Sequence, residues 1–556
     1  MKAFAKPMFK AGLLAGACAM MVSAAMAAEL PRVVTKDGRH ALLVDGAPYL
    51  ILGGQAHNSS NYPKALPEVW AAIADAQANT LEIPVAWEQV EPVEGKFDFS
   101  FVDTLVKQAR EKDVRLVLLW FGTWKNTAPA YLPEWVKFDN KRFPRMVDEK
   151  GKSSYSHSPF GGETLKADRR AFVEFMKHLK RIDGDRQTVI MVQVQNEVGT
   201  YGLVRDHGPA AQQAFNSPVP AAVVAKQKPP RGSANNLGKA GGTWKEVYGE
   251  YADQYFHTWA VASYIEEIAK AGRAVYDLPM FVNNALRDPV EPMAPWRGNF
   301  ASGGPTYDVL GIYEAAAPHI DVAGPDIYLH ESDKIAATLK QFHTKDNPLF
   351  VPEIGNSEDF ARVAYAVFGQ GGIGFAPFGI DYFEFSNYPL GAKAWDKTMT
   401  EPFGKVYGAF RPMMREWARW GFEGRTRGVF EHDDRKPQDI ALDGWKATVS
   451  FRQRQFGDSM AKNDPIEGTD KPNGGLAVAQ VGDNEFIVVA QHARIKFDPA
   501  GRNAGKSSMY ARVEEGQYDG KGNWVMERVW NGDQIDYGLN FGATPTVLKI
   551  KLGTYQ

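Results

Sequence analysis

The chain has 556 residues, which exceeds the usual size of one compact domain and favours two or three domains. Hydrophobic residues make up 44% and charged residues 23%, so the chain can bury a large core and global disorder is excluded. The formal net charge is −2 at pH 7 without a basic tract, so neither nucleic acid nor an anionic membrane surface is an expected partner.

The first residues have the pattern of an export signal. Three lysines within the first ten residues precede an apolar stretch from Ala11 to Val22, and Ala25-Met-Ala27 matches a small-residue cleavage site. We therefore expect residues 1–27 to be a signal peptide and the mature protein to be periplasmic or extracellular.

The single cysteine, Cys18, lies within this leader, so the mature protein would have no thiol, disulfide or cysteine-based metal site. Residues 14–18 also resemble a bacterial lipobox whose spacing is off by one residue, so a lipoprotein anchored through Cys18 is the alternative. No later segment has about 20 uninterrupted apolar residues, so no transmembrane helix is expected.

From about residue 30 to residue 420, short apolar runs alternate with amphipathic helical patterns. Eight β-then-α units in this order predict an α/β fold of the (β/α)8 TIM-barrel type, to which we assign residues 28–424. Apolarity is continuous along the strands, as is typical of parallel strands buried on both faces. A doubly wound sheet is the alternative, but no glycine-rich phosphate fingerprint follows an early strand. The predicted strands are Tyr49–Gly53, Thr80–Val85, Arg115–Trp120, Thr188–Val194, Met280–Asn283, Asp321–Ala323, Leu349–Val351 and Gly372–Ala376.

One stretch interrupts this alternation. The segment from Tyr201 to Thr243 follows the fourth predicted strand and is rich in Pro, Ala, Gly and Lys. A long insertion at this rim of a barrel usually shapes the cleft or acts as a lid, and a tolerated surface loop is the alternative.

After Trp420 the pattern changes to alternating, strand-like runs. Residues 476–481 and 485–490 are examples, and turn signals such as Asn531-Gly-Asp533 separate the runs. We therefore predict that residues 425–556 form a C-terminal antiparallel β-domain resembling a sandwich. It contains no evident catalytic constellation.

Two glutamates stand where an apolar run gives way to polar residues. Glu197 closes the run that begins at Val189, and Glu353 closes the run that begins at Leu349. By the strand count they end the fourth and seventh strands, at the barrel end where active sites lie. A surface carboxylate in a helix cap or salt bridge is the ordinary interpretation of one strand-end glutamate, but a pair on opposite sides of the barrel mouth favours catalysis.

Two carboxylates about 5 Å apart are the arrangement that a retaining glycosidase requires. Glu197 would then be the acid/base, protonated before the glycosidic bond breaks, and Glu353 would be the ionised nucleophile. Asn196 could donate a hydrogen bond to the sugar 2-hydroxyl, an interaction that strengthens in the transition state.

These motifs resemble those of clan A of the retaining glycoside hydrolases. The stretch from Asn79 to Phe99 is similar to the second-strand signature of the clan's β-galactosidases, in families 35 and 42. The run Ile190 to Gly199 resembles the acid/base motif of family 35 most closely, and Leu52 to His57 resembles that family's first-strand motif. The similarity spans roughly residues 30–420, and the C-terminal domain looks like the β-domain attached to a bacterial branch of family 35.

The chain departs from family 35 at two places that contact the sugar in that family. The first-strand motif usually carries Glu and, after the His, a Tyr, whereas this chain has Gln55 and Asn58. The third strand is usually followed by Ala-Glu-Trp, whereas this chain has Gly122-Thr-Trp124. The resemblance thus implies retaining β-glycosidase chemistry and leaves the choice of sugar open.

Further side chains after the predicted strands are candidates for substrate binding. In clan A a tyrosine after the sixth strand often hydrogen-bonds the nucleophile, and the resemblance gives this role to Tyr328; a core tyrosine is the alternative. His57 and Asn58 follow the first strand and could bind hydroxyl groups, although a structural histidine fits the pattern equally well.

Aromatic rings can stack on the flat C–H faces of sugars, although most tryptophans serve the core. Trp87 and Trp124 follow the second and third strands and are candidates for such stacking. Trp395, in the loop after the eighth strand, is a candidate for an outer subsite.

The 11 histidines include no H-x-x-x-H ligand pair, and the sequence contains no nucleophile elbow, P-loop or dinucleotide fingerprint. We therefore expect hydrolysis of a carbohydrate without metal or cofactor.

The predicted function is that of an exported, retaining exo-β-glycosidase. The resemblance implies a β-galactosidase that releases terminal β-galactose from oligo- or polysaccharides, xyloglucan side chains among them. Another clan A enzyme, such as a β-glucosidase, β-mannosidase or endo-glycanase, is the first alternative. A non-catalytic carbohydrate-binding protein is the second, but it would have lost one of the two carboxylates, and both are present. The oligomeric state is open, with a homodimer as one option.

Overall fold

The computed structural model describes residues 1, 29–230, 241–385, 388–451 and 471–555. The predicted signal peptide, with Cys18, lies outside the described residues apart from Met1. In these ranges, none of the helices is both long and apolar enough to span a membrane.

A small antiparallel sheet precedes the barrel and closes its lower end. It consists of β1 (Arg32–Lys36), β2 (Arg39–Val44) and β3 (Ala47–Tyr49). Leu42 and Tyr49 pack against Phe281 and Phe350, which lie at the amino-terminal ends of two barrel strands. This end of the barrel is therefore filled by apolar side chains and leaves no room for a polar site.

Eight parallel strands form a closed barrel, which confirms the predicted TIM-barrel fold. All eight predicted strands exist, and several of them extend further toward their carboxyl ends than predicted. The barrel strands in chain order are β4 (Ile51–Gln55), β5 (Thr80–Ala86), β6 (Arg115–Lys125), β9 (Val189–Asn196), β10 (Met280–Ala285), β11 (Val322–Ile327), β12 (Phe350–Ile354) and β13 (Gly374–Pro377). The strands β7 (Arg145–Val147) and β8 (Ser153–His157) form a separate hairpin in the loop after β6.

Helices surround the barrel, and the longer ones bury their apolar faces against its core. They are α1 (Leu66–Asp75), α2 (Trp87–Val90), α3 (Ser100–Glu111), α4 (Glu134–Lys137), α5 (Gly162–Asp183), α6 (Pro209–Phe215), α7 (Ala221–Lys226), α8 (Trp244–Tyr248), α9 (Ala252–Arg273), α10 (Leu310–Ala316), α11 (Ser332–Phe342), α12 (Glu358–Ala361), α13 (Val363–Gly369), α14 (Lys397–Phe410) and α15 (Met414–Phe422).

The described part of the insertion after the fourth barrel strand contains two short helices. Helices α6 and α7 lie within it, α8 follows it directly, and residues 231–240 lie outside the described residues. Phe215 and Trp244 pack with Phe256 of α9 in a separate apolar cluster. The described part of the insertion is therefore a packed addition to the outer helical layer.

The C-terminal region consists of two antiparallel sheets, as predicted. One sheet has six strands in the order β14–β17–β18–β23–β20–β21, and the other has the order β15–β16–β19–β22. Both contribute to one apolar core, with Trp445 and Ile495 from the second sheet facing Val488 and Leu548 from the first. The strands are β14 (Thr426–Phe430), β15 (Gln438–Leu442), β16 (Trp445–Phe451), β17 (Gly475–Gly482), β18 (Glu485–Gln491), β19 (Ala493–Pro499), β20 (Ser507–Tyr518), β21 (Trp524–Val529), β22 (Leu539–Asn540) and β23 (Thr546–Tyr555).

The strands β17 and β18 of the larger sheet are covered on both faces. Alternate residues of β17 and β18, such as Ala477 and Ile487, belong to the core of the barrel rather than to that of the sandwich. Gly369 of α13 approaches Gly428 of β14 so closely that an added Cβ would lie 2.3 Å from the Gly428 Cα. The sandwich is therefore docked on the barrel's outer helices.

Candidate active site

The upper end of the barrel interior is polar, unlike the lower end. Gln55, Asn283 and Glu353 are buried at or near the carboxyl ends of their strands, and Glu82 and Gln193 are buried further inside the barrel, within β5 and β9. Because this is the end at which TIM barrels place their active sites, it is the candidate site here.

Glu197 follows β9 directly and is held by its backbone. Its φ of 41° lies in the left-handed region, which is costly for a residue with a Cβ and is found most often at functional sites. Its N–H donates to Asn283 Oδ1 at 2.8 Å, and its carbonyl accepts from the Thr127 N–H at 2.9 Å. These two bonds hold the strained conformation and fix the direction of the side chain.

Glu353 lies within β12 and is 4% exposed, and both of its carboxylate oxygens have partners. The Tyr328 hydroxyl donates to Oε1 at 2.5 Å, and Gln55 Nε2 donates to Oε2 at 3.2 Å. Hydrogen bonds of this kind favour the ionised carboxylate. The predicted contact between Tyr328 and Glu353 is thus present.

A third carboxyl group lies beside the pair. One carboxylate oxygen from each of Glu197, Asp326 and Glu353 lies within 4.8 Å of the others. Asp326 Oδ2 accepts from Asn283 Nδ2 at 2.7 Å, so Asn283 bridges this carboxyl group and the Glu197 backbone. Lys125 Nζ lies 3.9 Å from Glu197 Oε2 and supplies a buried positive charge to the cluster.

Burial and mutual repulsion keep protons in this cluster. Burial, followed by the Glu197 charge, raises the pKa of Glu353 to about 7, although Lys125 and the Tyr328 hydrogen bond oppose the shift. Burial and the charges of Glu353 and Glu197 raise the pKa of Asp326 well above its usual value. The cluster therefore retains a proton near neutral pH, which an acid/base mechanism requires.

The predicted hydroxyl-binding residues have unused polar atoms at the site. Both side-chain polar atoms of Asn196 are buried without a partner among the described residues, as are His57 Nε2 and Asn58 Oδ1. The other ring nitrogen of His57 lies 2.8 Å from Asp381 Oδ1, which fixes the ring. Since buried polar groups without partners are costly, these atoms are suited to binding the hydroxyls of a ligand.

The structure corrects the prediction for two tryptophans. Trp87 is 0% exposed and Trp124 is 1% exposed. The Trp87 indole donates to Glu91 at 2.9 Å, and the Trp124 indole donates to Ser156 at 3.1 Å. Because neighbouring side chains cover both rings, neither can present a face to a sugar, and both serve the core.

Thr123 also has a structural role. It is fully buried and its hydroxyl donates to Asp168 at 2.7 Å, so the third strand end does not contact a sugar through this residue. Trp395 is half-buried in the loop before α14, and its indole nitrogen has no partner among the described residues. Its role in an outer subsite stays a prediction.

Four residues of the site are missing from the sequence prediction. Gln55 is noted there only as a departure from the family, and Lys125, Asn283 and Asp326 are absent from it. All four are polar residues at the carboxyl ends of barrel strands, the position that also identifies Glu197 and Glu353. Applying that rule to every predicted strand would have found Asn283, whereas Gln55, Lys125 and Asp326 lie beyond the predicted strand ends.

Part of the barrel matches a family of known proteins. Residues 64–231 match the family model described as "Beta-galactosidase" (Glyco_hydro_42). Residues 403–542, which begin in α14 and continue through most of the sandwich, match a domain of unknown function, DUF5597.

Curated relatives include plant β-galactosidases. The chain is 31% identical to "Beta-galactosidase 11" of Arabidopsis thaliana over 155 residues, which covers 24% of this chain and 18% of that protein. It is 35% identical to "Beta-galactosidase 7" of Oryza sativa subsp. japonica over 104 residues, which covers 18% of this chain and 13% of that protein. The matches thus span less than a fifth of these relatives.

Among solved structures, the chain is similar to a β-galactosidase from the psychrophilic Marinomonas ef1. The identity is 13% and the TM-score 0.47, with 66% of this chain and 61% of that chain covered. A β-galactosidase from the haloarchaeon Halorubrum lacusprofundi has 16% identity and a TM-score of 0.46, with 65% and 58% covered.

Proposed function

We propose that the chain is a retaining exo-β-galactosidase. The observation that carries the proposal is the separation of Glu197 and Glu353, whose nearest carboxylate oxygens lie within 4.8 Å of each other at the ends of β9 and β12. Inverting enzymes need about 6.5–9.5 Å so that a water molecule fits between substrate and base, whereas retaining enzymes have about 5 Å. This separation therefore supports double displacement.

In the first step Glu353 attacks the anomeric carbon, and Glu197 gives its proton to the glycosidic oxygen as the bond to that oxygen breaks. A glycosyl–enzyme ester forms on Glu353 and the alcohol leaves. In the second step Glu197 takes a proton from water, the water oxygen attacks the anomeric carbon, and Glu353 is released as a carboxylate. The sugar leaves with its original configuration.

The residues around the pair support this division of roles. Glu353 receives two hydrogen bonds that stabilise its negative charge. Among the described side chains, the Asp326 carboxyl group is the one that hydrogen-bonds to the Glu197 carboxylate. Asn196, adjacent to Glu197, is suited to bind the 2-hydroxyl of the sugar. The two hydrogen bonds that Glu353 accepts favour it as the nucleophile, which leaves Glu197 for the role of proton donor.

Galactose is proposed because the matched family model and the relatives carry the name β-galactosidase. The test is a panel of aryl β-glycosides of galactose, glucose, mannose, xylose and fucose, with a xyloglucan oligosaccharide beside them. We expect the galactoside to have the highest kcat/KM and proton NMR to show β-galactose as the first product. A first product of α configuration would contradict the retaining mechanism.

A β-glycosidase with another sugar preference is the second candidate. The observation that favours it is the composition of the third barrel strand near its carboxyl end. There the buried Thr123 is hydrogen-bonded to Asp168, and Lys125 is the residue whose side chain approaches Glu197. The resemblance to family 35 implies a sugar-binding glutamate at this strand end, and this chain has none there. A higher kcat/KM on a glucoside or mannoside in the same panel would support this candidate.

Replacing Tyr328 by Phe is expected to shift the pH dependence. The hydroxyl of Tyr328 stabilises ionised Glu353, so its loss raises the pKa of Glu353 further. The acid limb of kcat/KM should therefore move to higher pH. A hydrogen bond to a charged group contributes about 1.5–3 kcal/mol, which corresponds to about one to two pH units. The measurement is kcat/KM on an aryl β-galactoside from pH 4 to 9.

The matched control is Tyr276→Phe. It removes a buried hydroxyl that donates to the Asp183 carbonyl at 3.3 Å, at the opposite end of the barrel. We expect its acid limb to coincide with that of the wild type. An unchanged acid limb in Tyr328→Phe would show that the tyrosine does not stabilise the group that must be ionised.

A further inference from the structure

Exposed apolar side chains of the barrel are confined to its catalytic face. In the described residues between 50 and 422, every large hydrophobic side chain that is exposed lies between the carboxyl end of a barrel strand and the longer helix that leads back to the next strand. Examples are Tyr62, Tyr155, Tyr201, Trp296 and Phe385. Exposed apolar surface in contact with water is unfavourable, and a concentration of it on one face usually marks a binding surface.

Two of these residues are attached to the segment that carries Glu197. Tyr201 lies four residues beyond Glu197, and its N–H donates to the Tyr155 hydroxyl at 3.0 Å. The Tyr155 hydroxyl lies 2.5 Å from Thr127 Oγ1, and the Thr127 N–H donates to the Glu197 carbonyl. Tyr155 is 41% and Tyr201 44% exposed, so both keep open surface although their positions are fixed.

A third exposed aromatic residue lies in a loop that is joined to the same segment. Trp296 is 56% exposed and lies in the loop after β10. The Gly202 N–H donates to the Gly298 carbonyl at 2.6 Å, and Thr200 and Ser302 exchange two backbone hydrogen bonds of 2.8 and 3.1 Å. The loop that carries Trp296 is thereby joined to the segment that carries Tyr201. We call Tyr155, Tyr201 and Trp296 the aromatic platform.

We propose that the aromatic platform binds the sugar units on the leaving-group side of the scissile bond, and that the substrate is therefore an oligo- or polysaccharide rather than a simple galactoside. This rests on the proposed function, in which Glu197 protonates the leaving oxygen. The leaving oxygen lies beside the proton donor, so exposed rings on the segment that follows Glu197 are in position to meet the leaving part of the substrate. Burial, followed by the Glu197 charge, raises the pKa of Tyr201 to about 12, so its hydroxyl stays protonated and can donate to a sugar oxygen.

The chemistry of the platform fits carbohydrate. Tyrosine and tryptophan combine a flat apolar face, which stacks on sugar C–H groups, with one polar atom that hydrogen-bonds. The platform is also continuous with the carboxylate cluster through Thr127 and Glu197, as a subsite must be. A protein partner would not need a site that is continuous with the carboxylate cluster, so it is the less favoured occupant of the platform.

The test compares a substrate that has leaving-group sugars with one that has none. We would measure kcat/KM of the full chain on a β-galactosyl-terminated tetrasaccharide and on β-galactosyl fluoride, for the wild type and for Tyr201→Ala and Trp296→Ala. Each variant is expected to lose about tenfold on the tetrasaccharide, as the loss of one stacking contact predicts, and less than about twofold on the fluoride. Equal melting midpoints would establish that the variants fold.

Tyr537→Ala is the matched control, because Tyr537 is a similarly exposed tyrosine, at 47%, on the sandwich. Its two rates should equal those of the wild type. An unchanged ratio of the two rates in both platform variants would overturn the proposal and leave the platform as a protein-binding surface. If the wild type prefers another sugar, the proposed galactose specificity fails, and the same ratio on glycosides of that sugar still decides whether the platform binds the leaving group.

Discussion

Replacing Glu353 by Ala is expected to reduce hydrolysis of aryl β-galactosides by about 10⁴-fold or more, because the group that forms the covalent intermediate is lost. The shorter side chain leaves space beside the anomeric carbon. Added azide should enter that space and attack in place of the carboxylate, with the aryl alcohol leaving. The expected product is α-galactosyl azide, which NMR distinguishes from the β anomer.

The control for this variant is Glu331→Ala. Glu331 follows the sixth barrel strand on the same rim, but its side chain is 55% exposed and pairs with Lys334 outside the carboxylate cluster. We expect it to retain wild-type rates. If Glu353→Ala keeps more than about a hundredth of the wild-type rate without azide, or if azide yields only the β anomer, Glu353 is not the nucleophile.

The architecture could be predicted because its physical causes are local in sequence. Strands buried on both faces need continuous apolar runs, and the helices between them need one apolar face, so both patterns are visible without tertiary information. The sandwich strands were visible for a similar reason, since turn residues separate them. The closing of the lower barrel end by residues 32–49 was not visible, because it depends on contacts between distant segments.

The upper strand ends were predicted too short, for a physical reason that is itself informative. The third strand was expected to end at Trp120 but extends to Lys125, and the sixth was expected to end at Ala323 but extends to Ile327. Polar residues there look like the beginning of a loop. In the barrel these polar residues remain in the strands, and their side chains line the site. Because the prediction ended each strand at its last apolar residue, it did not include Lys125 and Asp326.

The tryptophans show a different limit. A sequence places Trp87 and Trp124 near the barrel mouth, but whether a ring is open or covered depends on its neighbours in space. Trp135 packs edge-on against Trp87 at 5.9 Å, and Tyr264 packs against Trp124 at 4.8 Å. The rings left open, Tyr201 and Trp296, lie in irregular loops where no periodic pattern points to them.

Replacing Glu197 by Ala is expected to produce a loss that depends on the leaving group. A sugar alcohol needs a proton to leave, and positioned general acids contribute about 10²–10⁴-fold, so kcat/KM on a disaccharide should fall by that factor. Dinitrophenolate leaves without a proton, so kcat/KM on the dinitrophenyl galactoside should fall only slightly. The galactosyl–enzyme ester should then accumulate, and azide should convert it to β-galactosyl azide, the anomer opposite to that from Glu353→Ala.

Asp326 provides the comparison that decides which carboxyl group donates the proton. Burial and the neighbouring charges raise the pKa of Asp326 well above its usual value, and one of its carboxyl oxygens lies within 4.8 Å of both glutamates, so it is a second acid near enough to act. If Asp326 only stabilises the cluster through Asn283, Asp326→Asn should lower the rates on the disaccharide and on the dinitrophenyl galactoside by the same factor. A leaving-group-dependent loss in Asp326→Asn, together with a uniform loss in Glu197→Ala, would transfer the acid role to Asp326. The ratio of the two rates therefore distinguishes the two assignments without depending on the absolute activity of either variant.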